Sequence, residues 1–445
     1  MEWIIGILST IGIFIAAIFI LVFIHELGHF LAAKYFKMRV DQFSIGFPPK
    51  IAGFRKGETE YVLGATPLGG YVKIAGMIDE SMDDDFVGNE PQEDEFRSKP
   101  VWQRIIVILA GVIFNVILAF FIYTGMAWHY GENVLPVQEI EGIYIPENSL
   151  AAEMGFQTGD RVIGINEREV DYFEQLFNPS AITGRNVSFM VDREGETVNL
   201  TAPADFLDRL NHERLFEPGW VLPSKVEAVA EGTPAEEAGL QTGDRIVAYD
   251  GAEIAYWIQL TEKIRDTEGE ATIMVERDGE LLSINITPDP ETGMIGIQAY
   301  DFRGAREHLD YNFAGSLNVG YRETGDTFVG IIQGLQKLFT GTISVRDNLG
   351  GPVAIATVTR DATEHGGWQG FWRITAFLSI TLAIMNMLPI PALDGGHFMF
   401  LVYEGITRRE PSPRVRMALQ QIGFILLIGI LVLVTFNDIL RTIGN

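Results

Sequence analysis

Cysteine is absent from all 445 residues, so no disulfide framework is available and cysteine usage reports no redox compartment. Basic residues are scarce: 33 Lys and Arg stand against 59 Asp and Glu, a net charge of −26. Nothing forms a basic stripe able to neutralise phosphates, which excludes a nucleic-acid partner. Charge of either sign is missing from four stretches, Trp3–Ile24, Ile105–Ala127, Ile374–Leu393 and Met417–Asn437. Each is about 20 residues or longer, and the first alone makes a helix of roughly 33 Å, enough to cross a bilayer. Four membrane spans are therefore expected. A cleaved signal peptide is the rival reading of residues 1–24, but the basic leader is missing, the apolar run is too long and no A-x-A site follows.

The places where Lys and Arg are missing also orient the chain. None occurs from Gly125 to Asp160, whereas Lys34, Lys37 and Arg39 follow the first span and Arg97, Lys99 and Arg104 precede the second. Arg408, Arg409, Arg414 and Arg416 lie between the third and the fourth. The positive-inside rule then puts both termini outside and residues 34–104 in the cytosol, with Trp3, Trp128, Trp368 and Trp372 at the outer interface. The acidic excess reads as solvated surface, densest in the loop Asp79–Glu95.

Against this apolar background stands His25-Glu26-Leu27-Gly28-His29, which spells H-E-x-x-H at the end of the first span. In a helix the imidazoles at i and i+4 project from one face and can share a metal, while the carboxylate between them reaches a water beside it. Ionisable groups on a membrane helix cost about 2.5–3.5 kcal/mol each, so three together demand a compensating partner. A polar cap meeting lipid head groups is the plainer alternative. Two histidines leave zinc short of ligands, since a catalytic site takes three from the protein. The segment Asn386-Met-Leu-Pro389-Ile-Pro391-Ala-Leu-Asp394-Gly395-Gly396 offers the third. Its prolines interrupt the third span and its glycines let the backbone turn just past Asp394, whose carboxylate then faces His25 and His29. Zn²⁺, this carboxylate and a hydroxide sum to zero charge, a tolerable state in a low-dielectric setting. Glu26 is the expected proton acceptor. Asn386, a polar group in an apolar helix, suits the substrate backbone or an oxyanion, with helix packing nearly as good a reading; packing is the preferred reading of Asn115.

A helical substrate hides its peptide bonds, so cutting a membrane span requires unwinding it and holding the opened strand. Tyr61–Ala65 and Gly70–Ala75, joined by Thr66–Gly69, read as a hairpin; Gly70, Tyr71, Val72 and Lys73 offer it a free edge. Between the second and third spans the sequence echoes itself: Gly155-Phe-Gln-Thr-Gly-Asp-Arg-Val162 returns as Gly239-Leu-Gln-Thr-Gly-Asp-Arg-Ile246. Two tandem modules of about 85 residues follow from that repeat, with Thr-Gly-Asp read as no more than a tight turn.

The modules resemble PDZ domains, which bind a chain end by adding it as a strand and holding its carboxylate on backbone N–H groups. Ile295-Gly296-Ile297 resembles that carboxylate loop; Gly219-Trp220-Val221-Leu222, at the corresponding place in the first module, lacks the apolar-Gly-apolar triplet. The whole chain resembles the site-2 protease family of intramembrane metalloproteases, on the strength of His25–His29, Gly70–Lys73, the tandem modules and Asn386–Gly396. The resemblance implies zinc held by His25, His29 and Asp394, catalysis by Glu26 and substrate contact by Asn386. It implies regulated proteolysis in the inner membrane of a Gram-negative bacterium. There a span of an anti-sigma factor is cut after a first periplasmic cleavage, in the sigma-E envelope stress response, and leftover signal peptides are a further substrate class. It also implies that the modules filter substrates by size, and that Phe313–Phe339, with apolar residues at helical spacing, lies on the membrane.

The expected architecture is a multi-domain membrane protein: a four-helix transmembrane core with a cytosolic-side β-hairpin or sheet, plus two tandem PDZ-like α+β domains outside the membrane. In order, these are a first span with the zinc motif (1–33), a cytosolic loop carrying the hairpin (34–104), the second span (105–130) and the two modules (131–222 and 223–305). An amphipathic helix and connector (306–370), the third span with Asp394 (371–396), a cytosolic loop (397–416) and the fourth span and tail (417–445) complete it. Two other function classes compete. A non-catalytic receptor with a structural zinc would not need Glu26, and a metal transporter would set its ligands near the bilayer middle on several helices.

Overall fold

The computed structural model describes residues 2–77, 90–177, 187–203, 205–209, 215–216, 218–267, 269–290, 292–300, 302, 305–340 and 350–444. Most of the acidic loop 79–95 lies outside them. The chain forms two compact units, Met1–Gly131 with Asp310–Asn445, and Glu132–Leu309.

The first unit contains helices α1 (Glu2–Tyr35), α2 (Val101–Tyr130), α3 (Phe313–Phe339), α4 (Pro352–Met387), α5 (Asp394–Thr407) and α6 (Pro413–Gly444). Four segments of these, Thr10–Tyr35, Val101–Tyr130, Pro352–Met387 and Arg414–Asp438, are long and apolar enough to cross a membrane. The runs without charge predicted their number but not all their limits. The third was expected over Ile374–Leu393, yet α4 starts at Pro352 and tolerates Arg360, Asp361 and Glu364 in a first half set off by the non-helical Gly367 (φ 54°, ψ −143°). It ends at Met387 because Pro389 forces Leu388 into an extended conformation (φ −61°, ψ 143°). Residues 397–416, read as a loop, hold most of α5, which buries Gly395, Gly396, Leu401 and Glu404 along one side. That stripe is short and its glycines hide it from a hydropathy reading.

Two long strands, β1 (Val40–Lys56) and β2 (Thr59–Ile74), fold into four rows. Residues 40–45 sit in the middle, paired with 70–74 on one side and 60–63 on the other, and 50–56 pair with the outer side of 59–64. The expected pairing of 61–65 with 70–75 is therefore wrong, because the strand 40–45 lies between them. The consequence for Gly70–Lys73 stands: it is an outer row. Phe43, Val72 and Ile74 of this sheet pack with Ala33, Val107, Ile108 and Leu401 in one core, so sheet, α1, α2 and α5 share their buried surface. In α3 the small residues Ser316, Val319, Gly320 and Thr324 are buried, while Tyr321, Phe328, Ile332 and Phe339 stay exposed.

The second unit contains two four-stranded antiparallel sheets with the same order. The first is β5 (Arg168–Glu169), β4 (Arg161–Ile165), β6 (Ser188–Arg193), β7 (Glu196–Thr201); the second is β10 (Ala252–Glu253), β9 (Arg245–Tyr249), β11 (Ala271–Arg277), β12 (Glu280–Ile286). Each builds its own apolar core. The repeated Asp does more than turn the chain. Asp160 accepts from the Gln157 amide at 2.9 Å and from Arg193 Nε and Nη2 at 2.7 Å, while Arg193 also donates to the Gly155 carbonyl. Asp244, Gln241, Arg277 and Gly239 repeat the arrangement. The unit's two ends are joined to each other: β3 (Glu132–Val134) pairs antiparallel with β14 (Glu307–Leu309), Glu132 opposite Leu309.

Candidate active site

The site is assembled from α1, α2, the broken end of α4 and the start of α5. His25 and His29 lie on one face of α1 with ring centroids 4.8 Å apart, and both are buried with Glu26 between them. After α4 ends, Ala392 takes a left-handed conformation (φ 77°) and swings Asp394 into the first turn of α5. The turn thus precedes Asp394 instead of following it as expected. Gly395 and Gly396 are helical, and their role is close approach: a Cβ at Gly395 would lie 2.1 Å from the Leu388 carbonyl and one at Gly396 2.5 Å from that of Ile390.

Three ligand atoms converge. His25 Nε2 is 3.1 Å and His29 Nε2 3.4 Å from Asp394 Oδ2, and the two nitrogens are 3.2 Å apart. His29 Nδ1 lies 2.8 Å from the Val107 carbonyl, which can only accept, so Nδ1 carries the proton and Nε2 presents a lone pair. That lone pair faces the carboxylate oxygen, and Asp394 Oδ2 is buried without a hydrogen-bond partner. Acceptors gathered in this way call for a cation. A tetrahedral zinc bound at about 2.0–2.1 Å would hold its ligand atoms roughly 3.3 Å apart, and the observed triangle matches. Among the described residues this is the group of His and carboxylates that fits a metal.

A cleft of about 500 Å³ opens on the triad, lined by His25, Glu26, His29, Tyr71, Val72 and Asp394 among others. The sheet's outer row thus borders the site. A Cβ at Gly70 would come within 2.8 Å of Val22 and 3.1 Å of Glu26 Cγ, so the strand lies tight against α1. Asn386, in the last turn of α4, sets its Nδ2 3.2 Å from His25 Nε2. The structure therefore gathers His25, Glu26, His29, Gly70, Tyr71, Val72, Asn386 and Asp394 at one place.

Ile295, Gly296 and Ile297 belong to the other unit. The Ile295 and Gly296 carbonyls accept from Ala235 and Ala230 N–H at 2.9 Å, Gly296 is left-handed (φ 82°), and Ile297 opens β13 (Ile297–Ala299), which pairs with β8 (Val226–Val229). In the first module Trp220 and Val221 are built into the core, and Trp220 accepts from the Tyr144 amide.

Sequence reasoning missed the wall of α2. A Cβ at Gly111 would lie 2.3 Å from His29 Nε2 and 2.7 Å from His25 Cε1, so only glycine leaves room for both rings. Asn115, read as a packing residue, is fully buried with Nδ2 3.2 Å from His25 Nδ1. Val107, Gly111 and Asn115 follow at intervals of four along α2, and that spacing was the available signal. His397 was missed as well. It lines the cleft one turn past Asp394, with Nε2 3.0 Å from Gln420 Nε2 of α6.

Residues 13–430 match the family Peptidase family M50. A protein of Haemophilus influenzae named Regulator of sigma E protease is 32% identical, over 98% of this chain and 99% of its own length. Regulator of sigma-E protease RseP of Escherichia coli is 31% identical over 96% of this chain and 98% of its own. Zinc metalloprotease RasP of Shouchella clausii is 30% identical over 97% of this chain and 99% of its own.

Proposed function

The chain belongs to peptidase family M50 and is a zinc metalloprotease; from that premise we propose that it cuts single-span membrane proteins within the bacterial inner membrane. The observation that carries this reading is the convergence of His25 and His29, on a helix long and apolar enough to span a bilayer, with Asp394, which follows the end of a second such helix, α4. These three residues would hold the zinc. Zinc held there would supply a Lewis acid for the peptide carbonyl and would acidify a water beside it. Glu26 takes the proton of the attacking water and delivers it to the leaving amine. Asn386, beside His25, is the donor to the oxyanion. Gly70, Tyr71 and Val72, on an outer row of the sheet, pair with the unwound substrate as an added strand.

The substrates are of the anti-sigma-factor type, already shortened by a periplasmic protease, and remnant signal peptides are a second class. The names of the Haemophilus and Escherichia relatives support a place in sigma-E signalling. Both termini and the 132–309 unit face the periplasm, in keeping with the absence of Lys and Arg between Gly125 and Asp160. There the two PDZ-like modules admit only trimmed substrates, and Ile295–Ile297 receives a chain end.

Purified protein mixed with a single-span substrate tests the activity. Cleavage is expected, with chelator and Glu26→Gln each abolishing it and Glu26→Gln keeping its zinc. Intact substrate after incubation with the zinc-loaded wild type would leave the second reading, a receptor whose zinc is structural.

A further inference from the structure

Asn115 is a polar side chain with no exposed surface, on a helix otherwise apolar enough to cross a membrane. Its backbone carbonyl accepts from Ser379 Oγ of α4 at 2.7 Å, which fixes the residue between two helices. Its side-chain amide meets His25 Nδ1 at 3.2 Å, and the other end of the amide, Oδ1, has no hydrogen-bond partner. Nothing but the imidazole therefore decides which way the amide faces, and its oxygen and nitrogen exchange places by a half-turn. With Nδ2 toward the ring, the amide donates to Nδ1. The proton of His25 would then sit on Nε2, aimed at Asp394 Oδ2 and His29 Nε2. A nitrogen that carries a proton cannot bind a metal.

We propose that Asn115 is a positioning residue: its amide oxygen accepts the Nδ1–H of His25, holding that ring in the tautomer whose Nε2 lone pair binds zinc. The inference rests on the reading of His25, His29 and Asp394 as the ligand set. It gives the two imidazoles matching supports on α2, since the Val107 carbonyl imposes the same tautomer on His29 two turns earlier. A ligand histidine held through its other nitrogen by an acceptor is a recurrent way of raising its basicity and fixing its plane.

The test separates acceptance from donation. Asn115→Asp keeps an acceptor and removes the donor, whereas Asn115→Leu removes both. Zinc affinity of the full-length protein is measured by competition with a chelator for wild type and both variants, and the visible spectrum of the cobalt-substituted proteins reports ligand geometry. Asn115→Leu should bind zinc about 10–100-fold more weakly. Asn115→Asp should bind as tightly as wild type or more so, with a tetrahedral cobalt spectrum. Equal weakness of the two variants would mean that the wild-type amide donates, and wild-type affinity in Asn115→Leu that it does neither; each overturns the proposal. If Asn115→Leu fails to fold, the affinity of Asn115→Asp decides alone. A wild type that takes up no zinc overturns the ligand set itself, an outcome distinct from a failure of Asn115 alone.

Discussion

Gly111 has no side chain to offer, and the site depends on that. A methyl group there would stand 2.3 Å from the His29 nitrogen that faces Asp394, a distance at which the ring must move. Gly111→Ala is therefore expected to cost at least about tenfold in zinc affinity, the range seen when a ligand's support is disturbed, while helicity in detergent is retained. Metal content after dialysis, read beside circular dichroism, checks both halves. His25, Glu26, His29 and Asp394 were legible because each carries a rare chemistry in an apolar setting: two imidazoles one turn apart, and an acid just past a proline-broken span. Gly111 was not, since a glycine in a helix says nothing of what approaches it. Asn115 was visible as a polar residue but its partner was not, because the 90 residues separating it from His25 are closed only by folding. The turn at Ala392 was misplaced for a related reason. Glycines advertise left-handed backbone, yet here an alanine adopts it and the glycines serve close packing.

Among elements, α5 bears Asp394 at its start and a second anchor three turns on. Arg104 of α2 and Glu404 of α5 form a buried pair through the two terminal guanidinium nitrogens, Nη1 and Nη2, and both carboxylate oxygens. Removing one partner leaves a charge without compensation in the interior, at a cost of about 3–5 kcal/mol, whereas replacing both by apolar groups of similar volume is often close to neutral. Arg104→Met should accordingly lower the thermal unfolding temperature in detergent and loosen zinc, and the double substitution with Glu404→Met should restore much of both. A double variant no better than the single one would show that the pair does not act by mutual compensation. Hydropathy could not reveal this connection, because both residues read as ordinary juxtamembrane charges. The sheet was misread for a plainer reason. Residues 40–45 mix Asp and Gln with Phe and Ile and run into Pro48-Pro49, so the central row went unrecognised and its two neighbours were paired with each other. That Gly70–Lys73 would be an outer row survived, because the strand borders only one neighbour in either pairing.

For the molecule as a whole, the repeat of Gly-x-x-x-Gly-Asp announced two modules, and the structure gives them the same strand order and the same Asp–Arg clamp. The partners Arg193 and Arg277 stood at matching distances from their aspartates and completed a signal that was read only in part. The absence of cysteine makes the proposed topology directly measurable, since a single introduced thiol has no background. With Glu253→Cys a membrane-impermeant maleimide should label intact spheroplasts, whereas Glu90→Cys should react only after lysis; the reverse pattern would invert the orientation. One last consequence follows from the pairing of β3 with β14. Because Glu132 and Leu309 face each other across two neighbouring strands, the chain enters and leaves this unit at adjacent points. A two-residue reverse turn suffices to splice those strands. Residues 135–306 should thus be replaceable by such a turn, and a chain shortened there should still assemble its metal centre.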